Sequence, residues 1–123
     1  MNGVSRLLGA LGAIGGASGI AAGAAGAHLL RLEAGSREAH LFETAVNYLL
    51  LHAVLVLVLA VITGTRGWRA VGGLFVLGMT CFSGGLLWQV STGQKVPVIP
   101  FGGLCFIAGW LLAAVLCARG AGR

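Results

Sequence analysis

Four runs of the chain contain no Asp, Glu, Lys or Arg: residues 7–30, 44–65, 70–94 and 96–118. Each exceeds the roughly 20 mostly apolar residues that a helix needs to cross a bilayer. Backbone amides and carbonyls find no water in hydrocarbon, so an α-helix, which pairs them internally, is the expected form of each run. The pattern predicts spans at about 7–30, 42–62, 68–90 and 99–118. The expected fold class is all-α, a four-helix transmembrane bundle with short loops, and residues 1–123 are expected to form a single integral membrane domain.

The spans differ in texture. Of the 24 residues in the first, sixteen are Gly, Ala or Ser. Small residues let helix backbones approach closely in lipid. Gly15, Gly19, Gly23 and Ala27 recur every four residues and predict a packing stripe, with Leu7, Leu11 and Ile14 largely off it. The second span is polar in its first half, with Glu43, Thr44, Asn47, Tyr48 and His52, and aliphatic thereafter. Ser36 is placed to cap the turn leading into it. Trp68 and Trp88 sit at the two ends of the third span, where an interfacial aromatic belt would lie. In the fourth, Pro100 suits a first helical turn, and Trp110, being mid-span, points to a helix contact.

Composition strengthens this reading. Hydrophobic residues make up 58% of the chain and charged residues 9%, against about a quarter charged in a soluble domain. The net charge of +5 comes from basic residues scattered singly beside the spans. No basic face forms, so nucleic acid is not an expected partner; the lipid bilayer is. Arg6, Arg66, Arg69, Arg119 and Arg123 fall on the side of both termini and the second loop. Arg31, Arg37 and Lys95 fall on the other side, with Glu33, Glu38 and Glu43. The basic excess predicts cytoplasmic termini and a cytoplasmic 63–67 loop. Ala25-Gly26-Ala27 resembles a signal-peptidase site, but the uncharged run before it is longer than a secretory h-region. Cys81, Cys105 and Cys117 lie within spans without a CxxC, and they read as small core residues rather than a disulfide framework or zinc site.

Candidate chemistry gathers at mid-span. Thr44, Tyr48 and His52 share one helix face. At helical rise, His52 lies on the order of 15 Å deep, close to the level of Thr80 and Trp110. Polar side chains there are costly and face the bundle interior. His52, Tyr48, Thr80 and Ser83 are therefore the candidate buried polar cluster, with the first span's glycines as a wall beside it. A buried imidazole of this kind relays protons, contacts a polar ligand, ligates haem or serves structure alone. His28, His40 and Glu43 share one side, but their spacing matches no metal motif, and His28 and His52 differ in depth by on the order of 10 Å, which disfavours paired haem ligation. No phosphate loop, HExxH, GxSxG or interior carboxylate pair is present. No metal, cofactor or catalytic residue is expected.

Four ordered patterns carry a resemblance. They are Gly26-Ala27-His28; Phe42-Glu43-Thr44-Ala45 followed by Tyr48 and His52; Phe82-Ser83-Gly84; and Pro100-Phe101-Gly102-Gly103 followed by Gly109-Trp110. Together they resemble the domain-of-unknown-function 423 family of small bacterial membrane proteins, whose animal relatives are called transmembrane protein 256. The resemblance covers almost the whole chain. It implies a four-helix protein of the bacterial inner membrane and no particular activity. The chain departs from the family pattern at Gly85, where Ser is common, at Trp88, near a usual Tyr, and at Ile99, where Thr is frequent.

The expected role is that of a non-enzymatic structural or accessory subunit, packing as a homo-oligomer or within a larger membrane complex. The alternative is a small oligomeric transport or proton-conducting module built on the His52 and Tyr48 cluster. A haem- or quinone-binding redox subunit is a third reading.

Overall fold

The computed structural model describes residues 2–62 and 64–120. Thr63 and Arg123, used above for loop and charge, lie outside the described residues. Four helices account for most of the chain: α1 (Gly3–His28), α2 (Arg37–Ile62), α3 (Arg66–Thr92) and α4 (Ile99–Ala118). They contain 26, 26, 27 and 20 residues. At about 1.5 Å per residue, each matches or exceeds a hydrocarbon core about 30 Å thick. No strand occurs among the described residues.

Helix ends follow local chemistry. α1 starts earlier than predicted because Asn2 caps it, its side-chain oxygen accepting from the Ser5 amide at 2.8 Å. It stops at His28, and Leu29 and Leu30 turn away with their amides on the Ala25 carbonyl. Ser36 Oγ accepts from the Ala39 amide at 3.1 Å, so α2 begins at Arg37 rather than at Phe42. α3 ends on Gly93, whose left-handed backbone (φ 73°) closes the last turn, and Pro100 occupies the first turn of α4.

Within α3 the segment Met79–Ser83 is π-helical. One extra residue is accommodated there in a wider turn. Gly102 of α4 packs directly on this turn: a Cβ at Gly102 would collide with the Phe82 amide and lie 2.8 Å from the Cys81 carbonyl carbon.

The helices run antiparallel in sequence order. α1 packs along α2, α4 packs along α3, and α2 and α3 meet at the centre. The core joins Leu8 of α1, Leu49, Ala53, Val56 and Ala60 of α2, Val71, Phe75 and Met79 of α3, and Phe106 of α4. Leu7, Ile14 and Ile20 of α1 and Leu104, Ile107 and Leu111 of α4 are exposed around the outside.

The small-residue face of α1 does meet α2, but not along the predicted stripe. Ser5, Leu8, Gly9, Gly12, Gly15 and Gly19 are buried, and Ala22, Gly23, Ala25 and Gly26 half-buried. Within this set Ser5, Leu8, Gly12, Gly15, Gly19, Ala22 and Gly26 are spaced alternately three and four residues apart, the 3.5-residue repeat that keeps one face on a partner helix. A strict four-residue step advances about 40° further around the helix each time. Gly15 and Gly19 are therefore in the seam, Gly23 sits at its edge with Val46 at an ordinary 3.8 Å, and Ala27 is exposed. Gly12 carries the tightest approach: a Cβ there would lie 2.8 Å from the Leu57 amide nitrogen and 3.0 Å from the Ala53 carbonyl oxygen.

Candidate functional site

Phe42, Ala45, Leu49, His52 and Val56 are buried along α2, again three and four residues apart. This spacing carries His52 into the interior, where it is 3% exposed. Ala53, one residue on, faces α1 instead, so the wall around His52 comes from α3 and α4 rather than from the glycines of α1.

Both imidazole nitrogens are engaged. Trp110 Nε1 of α4 lies 3.2 Å from His52 Nε2, and His52 Nδ1 lies 2.7 Å from the Tyr48 carbonyl oxygen one turn back. An indole N–H can only donate. Nε2 is therefore the acceptor, and Nδ1 carries the proton and donates to Tyr48. The two bonds select the neutral Nδ1–H tautomer.

Aromatic rings surround the imidazole. Phe106 stacks on it, with centroids 3.8 Å apart and planes at 19°, and Phe75 meets it edge-on at 4.9 Å. The Tyr48 ring stacks on Phe82 at 5.2 Å, and Phe82 meets Phe106 at 5.7 Å. α2, α3 and α4 thus contribute two rings each to one cluster: Tyr48 and His52, Phe75 and Phe82, Phe106 and Trp110. A groove of about 460 Å³ between α2 and α4 opens onto it, and Tyr48 and Trp110 are about half exposed at that opening.

The four polar side chains grouped by depth do not form one hydrogen-bonded cluster. Tyr48 reaches His52 through its backbone carbonyl, while its ring joins the aromatic stack. Thr80 is exposed, and its hydroxyl donates to the Val76 carbonyl of its own helix at 2.9 Å. Ser83 is fully buried, yet its hydroxyl has no hydrogen-bond partner among the described residues. The π-helical turn explains this separation, because more residues per turn spread Thr80 and Ser83 apart around the axis of α3.

Trp110 was placed at the right depth by sequence but was not identified as the partner of His52. The available signal was ring spacing on α4: Phe106 and Trp110 are four apart and share a face.

Among the described residues, no three His, Cys, Asp or Glu side chains gather closely enough to hold a metal ion. The cysteines are free thiols, with Cys105 buried, Cys81 half-buried and Cys117 exposed.

Comparison with known proteins places this bundle. The profile of the family described as "Protein of unknown function (DUF423)" matches residues 22–103. The chain belongs to the DUF423 family. It is also similar to UPF0382 membrane proteins of staphylococci. It is 34% identical over 93 residues to one from Staphylococcus haemolyticus, covering 72% of this chain and 76% of the relative. It is 32% identical over 100 residues to one from Staphylococcus aureus, covering 78% and 82%. No solved structure matches. In this DUF423 chain Gly85 of α3 and Ile99 of α4 face each other. A Cβ at Gly85 would lie 2.7 Å from Ile99 Cγ1, so the Ile99 side chain occupies the space that a side chain at 85 would need.

Proposed function

We propose that this DUF423 protein is a non-enzymatic accessory subunit of the cell inner membrane. It holds a fixed four-helix shape against a second copy or a larger membrane complex, with both termini in the cytoplasm. One observation carries this reading: the mid-span imidazole has both nitrogens engaged inside an aromatic stack. A proton relay needs a group that can accept at one nitrogen and release at the other. Here Nε2 can accept a proton only by displacing the Trp110 N–H. Residues that would be functional candidates by depth alone thus serve to join α2 to α4. The exposed apolar outer faces of α1 and α4 are the surfaces available to lipid or to partner helices. The orientation rests on the basic excess at the terminal side, with all three acids opposite.

Proteoliposomes with an entrapped pH dye test the role. The expected result is proton flux no greater than in empty vesicles. Flux that His52→Gln abolishes would replace this reading with the proton-conducting one. Mild-detergent extraction from native membranes should yield an assembly larger than one chain, and recovery of a lone chain would remove the accessory role. Reporter fusions in the 29–36 loop should read as external.

A further inference from the structure

We propose that one end of the bundle binds the phosphate of an anionic phospholipid headgroup, with Arg69 as the residue that holds it. This site depends on the membrane-spanning fold and not on the accessory role above. The starts of α1 and α3 and the last turn of α4 form the end in question. Leu8 of α1 packs over Gly72, where a Cβ would lie 3.1 Å from its Cδ1, and Leu116 of α4 packs over Gly67, where a Cβ would lie 2.8 Å from its Cδ2. These contacts gather Arg6, Arg66, Arg69 and Arg119 at one end of the molecule. The three acidic side chains of the chain, Glu33, Glu38 and Glu43, all lie at the other. The first turns of α1 and α3 contain no acidic residue, although the helix dipole favours one there.

Arg69 differs from the other three. Arg6, Arg66 and Arg119 are exposed, whereas Arg69 is half-buried. Its Nε is withdrawn from solvent and has no hydrogen-bond partner among the described residues. A buried donor on a charged group is costly to leave unpaired. Arginine cannot relieve that cost by losing its proton. The missing partner is an anionic acceptor, and no Asp or Glu side chain shares this end to supply one.

Phosphate fits this donor. A guanidinium presents Nε–H and one Nη–H as a planar fork that matches two oxygens of a phosphate. α3 has 27 residues, so it is about 40 Å long and exceeds a hydrocarbon core of about 30 Å. Its first turn therefore reaches the headgroup layer, where phospholipid phosphates lie. The three exposed arginines add a field that favours an anionic headgroup over a zwitterionic one.

The test uses the purified full chain in maltoside micelles, with unfolding followed by the fluorescence of its three tryptophans. Dioleoylphosphatidylglycerol should raise the unfolding temperature saturably, and dioleoylphosphatidylcholine and inorganic phosphate should not. Arg69→Lys keeps the charge but removes the fork, and it should weaken the phosphatidylglycerol effect about tenfold, the worth of one charged hydrogen bond. Arg66→Gln removes a charge from an exposed position and should weaken it less. In ¹⁵N spectra of the parent, phosphatidylglycerol should move one arginine Nε–H signal more than the rest. Equal shifts in unfolding temperature from the two lipids, or none from phosphatidylglycerol, overturn the proposal. So does a shift from inorganic phosphate as large as that from the lipid. A loss in Arg66→Gln equal to that in Arg69→Lys overturns it too, because it marks a diffuse field without a site. Should Arg69→Lys not fold, uniform movement of the Nε–H signals, or none, has the same force.

Discussion

The α1–α2 and α3–α4 seams are both rich in glycine but use it differently. In the first, the glycines are one-sided. α1 gives up its side chains, and α2 fills the space with Leu49, Leu50 and Ala53. In the second they are reciprocal. Gly78 of α3 seats Phe106 of α4, Gly109 of α4 seats Phe75 of α3, and Gly102 seats the backbone of the π-helical turn. One-sided glycine brings two backbones together. Reciprocal glycine lets each helix push large rings past the other, and those rings surround His52. The polar centre is thus made where both partners yield space.

Substitutions can break this comparison. The largest effect is expected at Gly102, where an added methyl meets backbone that cannot move aside. Gly102→Ala should cost about 3 kcal/mol, the upper part of the range for overpacking, measured by reversible unfolding in mixed micelles. A cost below that of Gly12→Ala would show that the one-sided seam is the tighter. Gly12→Ala follows at about 2 kcal/mol, because it too meets backbone, at 2.8 and 3.0 Å. Trp110→Phe keeps the ring and removes the donor to His52 Nε2. It should cost about 1 kcal/mol, and ¹⁵N spectra of the imidazole should lose the fixed Nδ1–H signature. An unchanged spectrum would mean that Tyr48 alone fixes the tautomer. The smallest effect has the opposite sign. Gly16 has no neighbour within 4 Å of an added methyl, so Gly16→Ala should be neutral or stabilise by up to about 1 kcal/mol through helix propensity.

The spans were legible because each is a long run without formal charge, and hydrocarbon admits few alternatives to a helix. The interior placement of His52 was legible for a related reason, since an imidazole at mid-span has nowhere else to go. Of its two partners, Tyr48, one turn back on the same face, was legible, and Trp110 was not. Thr80 and Ser83 were grouped with it by polarity and depth, but the π-helical turn that sets their directions leaves no mark in hydropathy. Trp110 offered an indole N–H at the same depth, hidden behind its value as a packing residue. The seam of α1 was misread by half a residue per turn. In a helix so full of glycine and alanine, many periods fit the composition, and only the partner helix selects one. Ala27 shows the error most plainly, since it continues the four-residue stripe and ends up exposed.

The π-helical turn also gives α3 slack in length. Deleting one residue from a spanning helix ordinarily rotates everything beyond it by about 100° and dismantles one of its two faces. Between Phe75 and Gly85 the rule is relaxed, because losing one residue from Met79–Ser83 converts the wide turn into an ordinary one and leaves the flanking faces aligned. Family members one residue shorter in this stretch are therefore expected to keep both the ring that meets His52 and the small residue that meets α4. Insertions and deletions along the third span should collect at this turn, the one point where evolution can change the helix's length without turning it.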